Sequence, residues 1–384
     1  MAVLNVQWTR RFAWLRELTF AADAGEKRAR GAIQIMTDAA IEPPKPAHPT
    51  RMVQLDGLRG IAAFMVVFYH MDIVYGINGP FQRGYLFVDL FFLLSGFVLA
   101  VSTEKKIKAG IGAIEFTWVR YKRLLPLVAV GAGVAVVRAL YIGMADPLTL
   151  ALWLALDLAM IPSFTGMGPF YRYNGPQWTL FYELVANFAH AAVLYKVPTR
   201  WMLALAGAMA LWLMHEVQVH GSDTMGVNAP TWATWWTALP RVGWSYVLGV
   251  WIGRKYLEGA RGPALPWWLA LLLPVIGIVL VPALPLGKVW GDLAFVLLFL
   301  PAMMWTVAMS NPPAALCPVM EWLGNFSLPL YCVHLTVLVW TKELAGNNSL
   351  ATAGMALGIA LALSWFFSKV VSFGSPPLPQ KAKA

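Results

Sequence analysis

Residues 55–70 (LDGLRGIAAFMVVFYH) combine an arginine and a histidine within one apolar segment. Arg59 and His70 lie 11 residues apart. This spacing is about three helical turns, so we expect both side chains on one helix face, roughly 16 Å apart along the axis. An ionisable group at that depth in lipid is costly and is by default a functional candidate. His70 is therefore a candidate general base and acid, since a neutral imidazole can take a proton from an alcohol and return it. A histidine that only bonds to a neighbouring helix is the alternative.

The second apolar segment carries a carboxylate and a small-residue pair in FVDLFFLLSGFVLA. Asp89 lies in an aromatic and aliphatic run, six residues before Ser95. Because a carboxylate in lipid needs a partner, we expect Asp89 to pair with His70 on the adjacent antiparallel helix. Asp89 would then orient His70 and stabilise its charged form. Ser95 is a candidate nucleophile, but packing with Gly96 beside the cavity is the favoured interpretation.

A basic stretch, RYKRLLP, precedes the third apolar segment. Arg120 and Arg123 are one helical turn apart, and we expect them at the cytoplasmic mouth of the helix. Paired guanidinium groups can clamp the phosphates of a nucleotide-bearing donor. The alternative is ordinary anchoring by positive charge on the cytoplasmic side.

The segment QWTLFYELVANFAH places a second acid in the membrane. Glu183 and His190 are seven residues apart and face the same way, with Trp178 at the outer interface. We expect Glu183 near the outer side, where it binds an acceptor hydroxyl or pairs with a cation such as Arg172.

A further pair of polar residues occurs late in the chain, in GNFSLPLYCVH. Tyr331 and His334 are one turn apart and are expected deep in the bundle. Ionisable residues on several different helices together predict a polar cavity inside the membrane.

The composition identifies the kind of molecule that must position these residues. Hydrophobic residues make up 59% of the 384 residues and charged residues 12%, against about 25% charged in soluble proteins. The chain is therefore predicted to be a membrane protein. Its net charge of +10 lies in short loops between apolar runs, which favours membrane orientation over nucleic-acid binding. Two cysteines give no disulfide framework, and no metal site is expected.

The apolar runs predict an all-α, polytopic membrane helix bundle. Ten runs are long enough to span a bilayer core of about 30 Å: 57–76, 84–102, 121–142, 177–196, 201–216, 235–253, 266–283, 289–309, 326–342 and 351–371. An eleventh run, 148–161, is short and carries Asp157, so we interpret it as peripheral or re-entrant. With this interpretation the basic loops alternate, and both termini are predicted to be cytoplasmic.

Three regions are expected along the chain. Residues 1–54 form a cytoplasmic N-terminal arm, either a weak amphipathic helix or a disordered tail. Residues 55–372 form the membrane domain, and residues 373–384 form a cytoplasmic tail. We expect neither a removable signal peptide nor a soluble domain after residue 372.

Five motifs in order give the chain a family resemblance: LDGLRGIAAFMVVFYH, FVDLFFLLSGF, the R-x-x-R-x-x-P pattern of residues 120–126, WTLFYEL and SLPLYCVH. Over roughly residues 52–372 the chain resembles the acyltransferase 3 family, integral-membrane acyltransferases that O-acylate bacterial surface glycans. The resemblance implies that Arg59 and His70 are the essential arginine and histidine of the family. It also implies that Arg120 and Arg123 are the cytoplasmic arginines linked to the acyl-CoA donor.

Two further motifs of the family have counterparts in this chain. Ser95-Gly96-Phe97 resembles the motif of the second helix, and Glu183 resembles the acid of the W-S/T-L-x-x-E motif. Many members have a second acid directly after that one, where this chain has Leu184. The departure puts in doubt any role that requires two adjacent carboxylates.

These observations predict an O-acyltransferase of the bacterial cytoplasmic (inner) membrane. It moves an acyl group, most simply acetyl, from acyl-CoA to a hydroxyl of a glycan or glycolipid. Catalysis is assigned to His70, Asp89 and Glu183, donor binding to Arg59, Arg120 and Arg123, and cavity lining to Ser95, Tyr331 and His334. Acyl-CoA is the donor substrate, and no permanently bound cofactor is expected. A proton-coupled transporter of a small solute is the alternative, because buried histidines and acids also build proton relays. An inactive relative acting as a partner is a third.

Overall fold

A computed structural model describes residues 52–163, 169–220 and 230–370. Within these ranges the regular structure is helical throughout, which confirms the all-α prediction. The chain divides into two units, Met1–Arg51 and Met52–Ala384, and the described residues belong to the second. The predicted amphipathic helix of the arm and the predicted tail lie outside the described residues.

The helices that position the site residues are numbered here in chain order. The described α-helices are α1 (Val53–Tyr75), α2 (Phe87–Ser102), α3 (Glu104–Lys108), α4 (Ala113–Tyr141), α5 (Pro147–Ala159), α6 (Gln177–Ala192), α7 (Thr199–His220), α8 (Ala238–Leu257), α9 (Trp267–Leu280), α10 (Gly287–Ala294), α11 (Leu300–Met309), α12 (Cys317–Ala345) and α13 (Leu350–Val370). A π-helical segment, Phe295–Phe299, joins α10 to α11 in one continuous rod.

Seven helices among the described residues are long and apolar enough to cross a membrane. They are Val53–Tyr75, Gly84–Ser102, Ala113–Tyr141, Thr199–Val219, Gly287–Met309, Ala314–Ala345 and Leu350–Val370. The predicted count of ten spans is therefore not confirmed. The other three predicted spans correspond to α6, α8 and α9, of which α6 has 16 residues. The chain is nevertheless built as a multi-pass membrane protein.

The short run after α4 folds as the 13-residue helix α5, too short to cross a bilayer by itself. Asp146 caps its N-terminus by accepting hydrogen bonds from the backbone N–H groups of Leu148 and Thr149, and Pro147 occupies the first helical position. The Thr149 hydroxyl and then its N–H hold the pKa of Asp146 below its ordinary value. The sequence therefore specifies where this helix begins.

Two helix pairs form the centre of the bundle: α1 packs along α12, and α2 packs along α8. The second pair is held close by two glycines. A Cβ atom on Gly96 would meet the backbone carbonyl of Tyr246, and one on Gly249 would meet the backbone carbonyl of Leu93. Small residues let membrane helices approach to backbone contact, and α2 and α8 pack in this way here.

Glu104, in the short helix after α2, joins α3 to α6 and α8. Its carboxylate accepts a 2.9 Å hydrogen bond from Arg254 Nε and a 2.6 Å contact from Lys108 Nζ, and His190 Nε2 lies 3.7 Å away. Burial alone would raise the pKa of Glu104, but its contacts with His190, Lys108 and Arg254 outweigh burial and lower it to about 2. The carboxylate is therefore charged throughout the physiological range. His190, predicted to face the same way as Glu183, belongs to this structural cluster.

Candidate active site

Two histidines from helices far apart in the chain meet inside the bundle. His70 Nδ1 lies 2.9 Å from the carbonyl oxygen of Val66, one turn earlier in α1, and 3.1 Å from Nε2 of His334 in α12. The two ring centres are 4.9 Å apart. His334 is fully buried, whereas His70 remains partly exposed. The packing of α1 along α12 brings these rings together.

Tyr331 lies one turn before His334 and connects α12 to α6. Its hydroxyl is 2.8 Å from the Thr179 hydroxyl and 3.3 Å from the carbonyl oxygen of Pro176, to which it donates. Its ring contacts Phe91 of α2 edge-on, with the ring centres 5.7 Å apart. Tyr331 thus fixes the turn of α12 that presents His334 to His70.

Glu183 is the meeting point of three helices. Ser95 of α2 donates a 3.1 Å hydrogen bond to Glu183 Oε1, and Arg120 of α4 donates a 3.2 Å hydrogen bond to the same oxygen. The side chains of Arg120 and Glu183 each keep 26% of their surface exposed. The ion pair is therefore reachable from a space beside these helices.

The predicted separation of Arg120 from Glu183 is wrong. The sequence pattern put Arg120 in a cytoplasmic loop and Glu183 near the outer side, with Arg172 as a candidate cation. In the structure α4 begins at Ala113, two turns before Arg120, so the basic stretch belongs to the helix and not to a loop. Arg120 consequently lies inside the helix and reaches Glu183, whereas Arg172 lies over the ring of Trp153.

The two other predicted donor-binding arginines lie near this ion pair. Arg59 donates a 3.3 Å hydrogen bond to Asp56, one turn earlier in α1, and its side chain is 28% exposed. The guanidinium of Arg123 interacts electrostatically with Arg120, Arg59, Glu183 and Asp56. Three guanidinium groups and two carboxylates leave a net positive charge, which attracts an anionic ligand.

The expectation that Asp89 orients His70 is also wrong. Asp89 is fully buried and pairs with Arg241 of α8, through 3.1 and 3.0 Å bonds from Nε and a 2.7 Å bond from Nη2. Ser245 donates a 3.5 Å hydrogen bond to the same carboxylate. A guanidinium neutralises a buried carboxylate better than an imidazole does, because it carries a permanent charge and donates in a fixed fork.

The polar network around Asp89 continues towards the start of α2. Arg241 Nη2 donates a 3.1 Å hydrogen bond to the carbonyl oxygen of Tyr85. The Tyr85 hydroxyl donates to Asp292, which also accepts a 2.9 Å bond from Arg83 Nη1. The Tyr69 ring lies between this network and the site, 5.1 Å from Tyr85 and 5.0 Å from His70. Among the described residues, no hydrogen bond joins this network to the His70 ring, which bonds to Val66 and His334.

Arg241 and the pairing of His70 with His334 are functional contacts that the sequence motifs do not predict. Arg241 carries a visible signal: it is an arginine at the start of an apolar segment, ALPRVGWSYVLGV, and needs an acid as much as Asp89 needs a base. The histidine pair has no such signal, because nothing local shows that the first long helix packs against α12.

The arrangement offers a candidate general base, His70, and three arginines, Arg59, Arg120 and Arg123, that can bind an anion. His70 is half-buried on α1, and Arg59 lies three turns earlier on the same helix. Arg120 and Glu183 face the space between α2, α4 and α6. A histidine that can exchange a proton with an alcohol, in a bundle whose guanidinium groups can hold phosphates, suits transfer of an acyl group from a phosphate-bearing donor.

The chain belongs to the acyltransferase 3 family: the model of that family, described as an acyltransferase domain, matches residues 52–369. This match confirms the resemblance inferred from the motifs and identifies the protein as an acyltransferase.

Two proteins of rhizobia are similar to this chain. Protein 2 in the picA locus of Rhizobium radiobacter is 36% identical over 160 residues, which cover 37% of this chain and 82% of that protein. The exopolysaccharide production protein ExoZ of Rhizobium meliloti (strain 1021) is 27% identical over 296 residues, which cover 74% of this chain and 84% of ExoZ. No solved structure gives a significant match to the chain.

Proposed function

We propose that this protein transfers an acyl group, most simply acetyl, from acyl-CoA to a hydroxyl group of an exopolysaccharide or its lipid-linked precursor. The proposal is supported by membership in the acyltransferase 3 family and by similarity to a protein named for exopolysaccharide production. The observation that carries it is the half-buried His70, held by Val66 and His334 on the helix that also carries Arg59.

The arginine group supplies the donor site in this proposal. The phosphates of CoA are polyanionic, and Arg59, Arg120 and Arg123 provide guanidinium groups that bind phosphate oxygens. The thioester then extends towards His70. We expect the donor to approach from the cytoplasmic side of the bacterial inner membrane, the side on which the basic loops are predicted to lie.

In the proposed reaction His70 carries one proton from the acceptor hydroxyl to the sulfur of the leaving CoA. The free ring nitrogen of His70 takes the proton from the acceptor hydroxyl, and the resulting oxygen attacks the thioester carbonyl carbon. When the tetrahedral intermediate collapses, the carbon–sulfur bond breaks and the leaving CoA sulfur receives the proton from His70. The products are the acyl ester and free CoA thiol, and His70 returns to its neutral form.

In this proposal Glu183 and Ser95 position other groups and take no part in bond making or breaking. Glu183 accepts hydrogen bonds from Ser95 and Arg120, so it holds Arg120 in the donor site and keeps α2, α4 and α6 in register. Its exposed edge is free to accept a hydrogen bond from an acceptor hydroxyl. Asp89 has no chemical step in this proposal, because Arg241 occupies its oxygens.

The test is replacement of His70 in the purified protein. We expect His70→Ala to lower kcat by about 10²–10⁴-fold, the usual contribution of a positioned general base. Release of CoA thiol from acetyl-CoA, with exopolysaccharide fragments as acceptor, measures the rate. His215→Ala is the matched control, because His215 is exposed on α7 and distant in sequence from every site residue. Full activity in His70→Ala, or equal losses in both variants, would contradict the proposal.

Mass spectrometry of the exopolysaccharide from a deletion strain identifies the acyl group. We expect one acyl mass to disappear and to return with the wild-type gene but not with the His70→Ala gene. An unchanged polymer would refute the proposed acceptor while leaving the acyltransferase reaction intact.

A further inference from the structure

We infer that His334 is a positioning residue that accepts a hydrogen bond from His70 Nδ1 and thereby leaves His70 Nε2 as the proton-accepting atom. The inference rests on the proposed function, since it explains how His70 is prepared for its role. It is carried by the hydrogen-bond partners of the two rings.

The partners of His334 determine which of its nitrogens carries hydrogen. Its Nδ1 lies 3.1 Å from the carbonyl oxygen of Leu330 and 2.9 Å from that of Tyr331. Carbonyl oxygens only accept hydrogen bonds, so Nδ1 must be the donor. In a neutral imidazole the other nitrogen is then an acceptor, and Nε2 of His334 presents a lone pair to α1.

The same reasoning determines the state of His70. Its Nδ1 faces the carbonyl oxygen of Val66 at 2.9 Å and Nε2 of His334 at 3.1 Å. Both partners are acceptors, so one N–H is shared between them as a three-centre bond. The hydrogen on Nδ1 fixes the tautomer and leaves the lone pair of Nε2 for the substrate. No hydrogen bond from the described residues occupies this atom, and the His70 side chain is partly exposed.

His334 also acts when His70 becomes charged. As His70 takes the proton from the acceptor hydroxyl, its Nδ1–H becomes a stronger donor, and the bond to His334 becomes charge-assisted. In serine hydrolases a buried aspartate holds the catalytic histidine in this way. Here the fully buried acid of α2 is already bound by Arg241, and a neutral imidazole occupies the corresponding position beside His70.

The alternative is that His334 only fills space in the core. The two roles are distinguished by a pair of substitutions of similar size. His334→Gln keeps an acceptor oxygen that can reach His70 Nδ1, whereas His334→Leu fills the volume without any acceptor. If His334 sets the tautomer, the leucine variant loses kcat and the glutamine variant recovers most of it.

We expect His334→Leu to lower kcat by roughly 100-fold or more and His334→Gln by less than about 10-fold, with the KM for acetyl-CoA unchanged in both. A wrong tautomer of His70 lowers kcat and leaves KM unchanged, because the contacts that bind acetyl-CoA in the ground state stay intact. The double variant His70→Ala/His334→Leu is expected to be no slower than His70→Ala alone, since His334 acts only through His70.

The outcomes separate this inference from the proposed function. Equal kcat in the leucine and glutamine variants, or additive losses in the double variant, would overturn the positioning role. Activity retained by His70→Ala would instead overturn the proposed function itself. If His334→Leu fails to accumulate in the membrane, His334→Met fills the same site with a flexible side chain and gives the same comparison against glutamine.

Discussion

At the scale of single residues, a buried carboxylate and a buried guanidinium stabilise the fold only while both are present. Asp89 is 0% and Arg241 2% exposed, and together they bridge α2 and α8. Removing one member leaves the other charge buried without its partner, which is more costly than removing both. The pair is therefore assigned to stability, and its loss should appear in folding before catalysis.

We expect Asp89→Asn to destabilise the protein by about 3–5 kcal/mol and to lower its amount in the membrane. The measurement is thermal unfolding of the detergent-purified protein, followed by size-exclusion chromatography. Glu115→Gln, at an exposed position on α4, is the control and should unfold like the wild type. The double variant Asp89→Leu/Arg241→Met should recover much of the loss. A stable but inactive Asp89→Asn protein would contradict this assignment and indicate a catalytic role for Asp89.

How far the sequence predicts the site depends on whether each partner lies within one helix or across the bundle. The spacing of Arg59 and His70, and of Arg120 and Arg123, follows from helix geometry alone. The partner of Asp89 was inferred from the nearest helix in the chain, and that inference failed. Which helices pack together is a property of the whole bundle, and His70 meets a residue 264 positions away.

At the scale of helices, the contact between α2 and α8 explains why the SGF motif requires a glycine at its second position. Gly96 lies against the backbone of α8, and Gly249 lies against the backbone of α2. Ser95, the neighbour of Gly96, reaches Glu183 only because α2 sits at this distance from the rest of the bundle. The helix interface and the site geometry are therefore coupled.

The ends of the helices are predicted less well by hydropathy than their locations. The apolar runs located most helices, but hydropathy placed the start of the third span at residue 121, whereas α4 starts at Ala113. Its first two turns, residues 113–120, include Glu115 and Arg120 and extend the helix beyond the predicted span. Hydropathy reports where lipid contact begins, and hydrogen bonding determines where the helix begins.

We expect Gly249→Ala to destabilise the protein by about 1–3 kcal/mol and to lower kcat, because the added methyl group pushes α8 away from α2. Gly358→Ala is the matched control, since a Cβ atom at Gly358 of α13 meets nothing within 4 Å. Unfolding temperature and acyl transfer are measured on both variants. Equal behaviour of the two alanine variants would show that the α2–α8 contact tolerates expansion.

At the scale of the whole molecule, the alternation of charged loops predicts a single orientation. Lys105, Lys106 and Lys108 follow α2, whereas the connection between α12 and α13 is neutral apart from Lys342 and Glu343 near the end of α12. The first loop is expected in the cytoplasm and the second outside it. In this predicted orientation the proposed donor site faces the cytoplasm.

Single cysteines test this orientation. In a variant with Cys317 and Cys332 replaced by serine and alanine, Lys106→Cys and Asn348→Cys each introduce one exposed thiol. A membrane-impermeant maleimide should label residue 348 in spheroplasts and residue 106 only after permeabilisation. Acyl transfer by each variant shows that the protein is folded. The reverse labelling pattern would invert the topology and place the donor site on the wrong side.

The ion pair between Arg120 and Glu183 already places an anion in the proposed donor site. A donor phosphate that binds Arg120, as we propose, competes with the Glu183 carboxylate, which lies 3.2 Å from this guanidinium. The carboxylate then gives up its bond from Arg120 and keeps the 3.1 Å hydrogen bond from Ser95. Under this proposal a single salt bridge links donor binding to the hydrogen bonds of Glu183.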